Sequence, residues 1–361
     1  MSSVHFLNVD PGDCSIIRHA GDRVSVIDIC GGNYKKKVES YSSTTTLLGS
    51  FIETMDKSTN GNFRMKERLT NPIDYMQSQE IGSVFRFILS HPDMDHMDGL
   101  AELESKIGVA NFWDAGVKRK KPDFSGGGYK EEDWQQYEAF CAGKGVKTIR
   151  YLAGANFKFA NRNEEDASGG DGLYILAPDE DLVKAANETE DPNDGSFVIL
   201  YRSVGGRILF PGDAHDATWE YVLKNNLDDV ANCSVMIAPH HGRHSDRSFD
   251  FLDLIEPKFT LFGNAPSEHL AYDEWNKRGL PFITSNQAGN IVLENEAGVI
   301  KVFIENASFA ETSGKDCSCK NQQGYILYET ISETTEVKSG AQKTYQRTTQ
   351  QQTILARIMN N

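Results

Sequence analysis

The sequence predicts an α/β fold of two packed sheets flanked by helices, and three observations carry that expectation. Short apolar segments with strand character recur along the chain in two groups, while helical periodicity is confined to a few stretches between them. With 361 residues, 39% hydrophobic, 10% aromatic and 25% charged, the chain has the make-up of a folded protein with ample material for a core. Several of the apolar segments run directly into clusters of His, Asp and Gly, as loops leaving the end of a sheet do.

Residues 4–9, 14–18 and 23–29 alternate in the manner of strands and are separated by the turns Pro11-Gly12-Asp13 and Gly21-Asp22, so a meander opens the first sheet. From about 34 to 80 the sequence turns polar, with Lys35-Lys36-Lys37, Ser42-Ser43-Thr44-Thr45-Thr46 and Ser58-Thr59-Asn60-Gly61-Asn62, and reads as an insertion of short helices and loops from which a core is hard to build. A buried strand over 85–90 then delivers the chain into His91. Further strands are expected over 148–152, 173–177, 197–202, 207–210, 234–238, 259–262, 282–284, 290–293 and 300–304, and helices over 100–106, 131–141, 217–226 and 272–278. After about 306 the composition shifts to Ser, Thr, Gln and Lys, with one apolar segment at 325–328 and a helix-like stretch at 350–358. The expected organisation is one domain over 1–305 and a C-terminal extension over 306–361 that offers a surface to a protein partner.

Charge and targeting narrow the function classes. The 37 Lys and Arg against 52 Asp and Glu give a formal net charge of −15, which disfavours a protein that coats nucleic acid or an anionic membrane through a broad basic face. An acidic chain that acts on an anion needs another source of positive charge. Residues 1–7 lack a signal-peptide pattern and no later run approaches the ~18 apolar residues of a membrane span, so a cytoplasmic location without membrane association is expected. The six scattered cysteines then read as reduced thiols.

The nine histidines are not scattered. His91, His96, His215, His240, His241, His244 and His269 fall in four short segments, and only His5 and His19, read as structural, lie elsewhere. The segment His91-Pro92-Asp93-Met94-Asp95-His96 packs two His and two Asp into six residues after a buried strand, and imidazole and carboxylate are the ligands that hold divalent metals. A second apolar strand ends at Gly212-Asp213, which on its own is no more than a turn, and a third at His240-His241-Gly242. Lys118-Arg119-Lys120-Lys121, followed by a glycine-rich stretch, is either a cover for an anionic substrate or a solvated charge run. No G-x-S-x-G elbow is present to support a serine nucleophile.

H-x-[HD]-x-D-H after a strand, then Gly-Asp, then His-His-Gly, in that order, resembles the metallo-β-lactamase superfamily, and the details resemble its ComEC-type branch, the hydrolase domain of competence DNA-uptake proteins. The details are the opening strand with Pro11-Gly12-Asp13-Cys14, then Val26-Ile27-Asp28-Ile29-Cys30-Gly31, the Asn193-Asp194-Gly195-Ser196 strand entry, and the closing Thr284-Ser285-Asn286-Gln287-Ala288-Gly289-Asn290. The likeness spans roughly 3–305 apart from the insertion. It implies an αββα metallo-β-lactamase sandwich holding two divalent ions, Zn or Mn. One ion would be held by His91, Asp93 and Asp213, the other by Asp95, His96, Asp213 and either His240 or His241, with Asp213 bridging. Asp28 would orient a ligand, Asp95 would serve catalysis as well as the metal, and His244 and His269 would contact substrate or protonate the leaving group.

Two departures stand out. Asp93 replaces the superfamily's usual His, as in the ComEC-type branch, and no histidine lies between His96 and His215, so the usual third-motif ligand is missing. The thinner, oxygen-rich shell makes Mn²⁺ a rival to Zn²⁺. The implied function is a dinuclear phosphodiesterase or nuclease acting on nucleic acid or a nucleotide-like phosphodiester through a metal-held hydroxide. Two alternatives stand beside it: hydrolysis of a carboxylic ester, thioester or lactam, and a non-catalytic binding module in a multi-protein system.

Overall fold

The strands read as near-continuous apolar runs because most are buried on both faces. The computed structural model describes residues 1–9, 11–34, 63–245, 247–333 and 348–360. Strands β1 (Ser2–Phe6), β2 (Ser15–Arg18) and β3 (Val24–Ile27) form the expected antiparallel meander. To its β3 edge, β4 (Val84–Ile88), β5 (Val109–Trp113) and β6 (Lys147–Ile149) add in parallel. The second sheet starts with antiparallel β7 (Leu173–Ala177), β8 (Val198–Arg202) and β9 (Arg207–Phe210) and continues in parallel through β10 (Val235–Ile237), β11 (Thr260–Phe262) and β12 (Phe282–Thr284). The chain then returns to the first sheet, where β13 (Ile291–Glu296) pairs with β1, and β14 (Val299–Ile304) and β15 (Ile326–Ser332) follow antiparallel. The sheets run β15-β14-β13-β1-β2-β3-β4-β5-β6 and β12-β11-β10-β9-β8-β7.

Period-two alternation decides which side each residue serves. Val4, Ile17, Ile27, Ile88 and Trp113 of the first sheet meet Ile175, Ile199, Phe210, Ile237 and Leu261 of the second in one central core. Their neighbours Ile16, Val26, Phe87 and Phe112 face the other way, against Ile73, Leu103, Trp134 and Phe140 of the helices Pro72–Ser78, Leu100–Lys106 and Glu131–Cys141. On the far side, Leu200, Leu209, Met236 and Phe262 pack on Trp219, Leu252 and Trp275 of the helices Asp216–Val230, Leu252–Ile255 and Tyr272–Arg278. The result is the α/β/β/α sandwich the sequence leads one to expect.

Local differences have identifiable causes. Of the polar stretch near 34–80, residues 35–62 lie outside the described residues, while Ile73 and Met76 are buried on a helix that Asn71 caps by accepting from the Ile73 and Asp74 amides. The helix Glu180–Thr189, not anticipated, starts at Asp179, whose carboxylate accepts from Leu182 N, and its polar residues dilute the apolar face. Beyond 306, Phe309 joins the central core, β15 extends the first sheet, and Ile354 and Ile358 of the helix Thr349–Asn360 pack on the far layer. Among the described residues, no helix is long and apolar enough to cross a membrane.

A buried charge cluster joins the sheets at the strand ends remote from Asp213. Arg86, 1% exposed, donates to Asp171 Oδ2 at 2.7 Å, and Arg23 grips the same carboxylate through Nε and Nη2, both at 2.8 Å. Burial pushes the Asp171 carboxyl up, but Arg23, His19 and Arg86 outweigh it and hold the group below its ordinary value. Asp171→Asn would leave Arg86 buried with a neutral partner, an expected loss of about 3–5 kcal/mol at pH 7. Because the folded carboxyl is depressed, its contribution is present above the unfolded value of about 3.9 and fades as pH falls through the folded value. Urea unfolding of both proteins should therefore show a gap that is wide at pH 7 and narrows below pH ~4.

Candidate metal centre

The candidate residues collect at the carboxyl ends of parallel strands from both sheets. Asp28 follows β3, His91 follows β4, Asp213 follows β9, and His240 and His241 follow β10. A backbone bond clasps the sheets here, with Phe197 N donating to Ser90 O at 2.9 Å, while within the second sheet His240 N donates to Gly212 O at 3.0 Å and ties the β10 loop to the β9 loop. Asn264, after β11, donates to Asn8 Oδ1 and Val9 O, both at 2.7 Å. Asp28, His240 and His241 have φ of 57°, 51° and 58°, left-handed values that cost a non-glycine residue about 1–3 kcal/mol each. That turn needs Gly242 as well, since a Cβ there would lie 2.1 Å from the Phe262 ring.

The single turn Met94–His96 sorts the loop's side chains. His96 Nε2 lies 3.5 Å from Asp213 Oδ1 and 3.9 Å from Asp95 Oδ1, and His91 Nε2 lies 3.9 Å from Asp213 Oδ2. His241 Nε2 comes within 3.4 Å of Asp95 Oδ2 and 3.8 Å of Asp213 Oδ2. His91, His96 and Asp213 form one group able to share an ion, and Asp95, His96 and His241 another. Asp93 stays at the margin, 3.8 Å from His91 Nε2, with Arg119 Nε 3.1 Å from its Oδ1.

The outer nitrogens explain the aim of the inner ones. His96 Nδ1 donates to Asp28 Oδ2 at 2.9 Å, and Asp28 Oδ1 accepts from Ser90 N at 2.7 Å, which leaves the His96 Nε2 lone pair facing inward. His241 Nδ1 sits 3.0 Å from Asp13 Oδ2 and gains the same orientation. His240 differs. Arg247 Nη2 donates to its Nδ1 at 2.5 Å, so in the neutral ring the proton is on Nε2, 3.5 Å from Asp213 Oδ2, and that nitrogen has no lone pair to offer a metal.

Electrostatics follow from five carboxylates in one buried region. Burial pushes the His96 and His241 imidazoles down, but Asp213 with Asp28 for His96, and Asp13 with Asp213 for His241, reverse this, raising His96 well above its usual value and His241 to about 10. Burial holds His91 low, helped by His96, and takes His240 to about 3. Asp93 is pushed up to about 6, first by burial. His91 Nε2, His96 Nε2, His241 Nε2 and Asp213 Oδ1 are buried without an aligned hydrogen bond. Orphaned imidazole nitrogens converging on carboxylates fit a divalent cation of the Zn²⁺ or Mn²⁺ class.

His244 and His269 stand outside this group. Both are about half exposed; His244 Nε2 is 3.2 Å from Asp273 Oδ1, and His244 N donates to His269 O. His215 lies between Asp191 and Asp194, at 3.4 and 3.5 Å. His5 bonds Tyr75 and Ser3, and His19 bonds Ser25 and Asp171 O, in keeping with structural roles. Sequence reasoning passed over Asp13 and Arg247. Asp13 stands in the Pro-Gly-Asp turn already noted, whereas nothing local singles out Arg247. In the stretch between His96 and His215, Ser196 packs beside Gly212 and Ser90, its Oγ buried and unpartnered.

No protein-family model matches the sequence, and no curated protein does. Solved structures with a similar arrangement include a diphosphatase of the PhnP family, 11% identical with TM-score 0.41, covering 82% of this chain and 99% of that one. Igni18, a metallo hydrolase from the archaeon Ignicoccus hospitalis, is 12% identical with TM-score 0.43 over 81% of this chain and 100% of that one. CmlA, a diiron β-hydroxylase from Streptomyces venezuelae, is 10% identical with TM-score 0.42 over 78% of this chain and 52% of that one.

Because the surrounding carboxylates favour the protonated forms of His96 and His241, a metal ion that takes their Nε2 lone pairs should displace protons. Calorimetric titration with Zn²⁺ in buffers of different ionisation enthalpy should show net proton release at pH 7 and an affinity that climbs with pH. Binding without proton release would contradict this electrostatic picture.

Proposed function

We propose that the chain is a metal-dependent hydrolase of the metallo-β-lactamase superfamily, of the ComEC-type branch, that cleaves a phosphodiester in nucleic acid or a nucleotide-like molecule. The observation that carries the reading is the convergence of Asp95, His96, His241 and Asp213 from three separate loops on one buried point. The ordered motifs of the sequence support it independently. One metal position would be held by those four residues, the other by His91, Asp93 and Asp213. Divalent ions there would supply Lewis-acid polarisation of the phosphoryl oxygen and a lowered pKa for bound water.

The chain's own residues do the rest. Asp28 and Asp13 hold the His96 and His241 rings in orientation. His240, its tautomer set by Arg247, presents an N–H toward Asp213 and is read as positioning that carboxylate. Arg119 at the margin, with Arg243 and Arg247 close enough to His240 to lower its pKa, gathers positive charge around the centre of a chain whose net charge is −15. These cations, together with bound divalent ions, would offset the carboxylates there and leave the centre open to an anionic substrate. His244 and His269, exposed and outside the metal group, suit substrate contact or leaving-group protonation.

With Mn²⁺ or Zn²⁺ supplied, the purified protein should hydrolyse bis-p-nitrophenyl phosphate or single-stranded DNA. Asp95→Ala and Asp213→Ala should abolish turnover, whereas His244→Ala and His269→Ala should keep the metal and lose about 10²-fold or less. Carboxylic ester, thioester and lactam substrates run in parallel decide the bond cleaved. Undiminished activity in both aspartate variants would refute the assignment.

A further inference from the structure

The two metal positions are unequal, and the inequality centres on Asp93. Asp95, His96, His241 and Asp213 offer four donors, each buried in the cluster or closely paired within it. The position at His91 offers one imidazole of its own, His96 and Asp213, both of which the first position also uses, and Asp93, whose carboxylate already faces a cation. Arg119 Nε is 3.1 Å from Asp93 Oδ1, an ion pair rather than an aligned hydrogen bond.

Arg119 is brought there by its neighbours. Lys118 N donates to Asn187 Oδ1 at 2.6 Å, Lys120 Nζ reaches Glu190 Oε2 at 2.6 Å, and Lys121 Nζ reaches Glu131 Oε1 at 2.5 Å. Asn187 and Glu190 belong to one helix and its C-cap and Glu131 to another, so the exposed basic run is tied at two places with Arg119 between them beside Asp93.

Resting on the metal-centre reading above, we infer that Arg119 stands in for the second metal ion: the resting chain retains one divalent ion, at Asp95, His96, His241 and Asp213, and the guanidinium paired with Asp93 closes the other position. A fixed +1 guanidinium with several donors next to a divalent ion remains suited to grip an anionic oxygen of the substrate. The position opens only when Arg119 leaves Asp93.

The test counts metal. Protein saturated with Zn²⁺, passed through a desalting column and measured by inductively coupled plasma mass spectrometry, should carry about one ion per chain. Arg119→Gln should raise the count to about two, and Asp93→Asn should leave it at one. Arg119 is more than a third exposed, so its replacement spares the core. A count of two in the unaltered protein would overturn the inference while leaving the metal centre intact. A count still at one in Arg119→Gln, or near zero in Asp93→Asn, would overturn it too. A count of zero in the unaltered protein would remove both this inference and the metal-centre reading.

Discussion

A carboxylate removed from water must be neutralised, and the seam between the two sheets is organised around that demand. Asp213 is 2% exposed at the end of β9, where desolvation of an unpaired charge costs several kcal/mol. The imidazoles of His91, His96, His240 and His241 surround it and hold its carboxyl far below the ordinary value despite burial. Two of those imidazoles lean on further buried carboxylates, Asp28 and Asp13. Negative charge therefore accumulates outward from Asp213, and a divalent cation at the centre would relieve more of it than protons can.

The fold makes this arrangement reachable. Parallel strands from both sheets deliver their carboxyl ends to one edge, where the cross-sheet bonds of Phe197 and Asn264 and the bond from His240 to Gly212 within the second sheet keep those ends in register. The backbone accepts strain at His240 and His241 because the turn aims two consecutive imidazoles in different directions, one toward the centre and one toward Arg247. The buried Arg86–Asp171 cluster fastens the remote strand ends, so the seam is closed by polar contacts at both extremities and by apolar packing between.

Much of this was legible in the sequence because the ligand-type residues follow apolar strands directly. Asp93, Asp95 and His96 share one short loop with His91, and Asp28 stands right after β3, so strand endings alone point to the centre. The choice between His240 and His241 was not legible, since neighbours in sequence are separated only by the left-handed turn and by the Arg247 hydrogen bond. Asp13 escaped notice as a partner because it meets His241 across more than two hundred residues of chain. The pairing of Arg119 was hidden for a different reason: a run of four basic residues reads as solvated, and residues 118–121 are exposed, so only the fold brings Arg119 within 3.1 Å of Asp93. The helices Pro72–Ser78 and Glu180–Thr189 depend on Asn71 and Asp179 caps within polar stretches, where composition masks the apolar face.

The claim at the centre of this account is that a divalent ion offsets the charge of Asp213. Anomalous diffraction from crystals of Zn²⁺-loaded protein, recorded on both sides of the zinc absorption edge, tests it directly. An anomalous peak is expected within bonding distance of Asp213, Asp95, His96 and His241. A map with no peak there, or with its peak at Asp191, Asp194 and His215 instead, would contradict it.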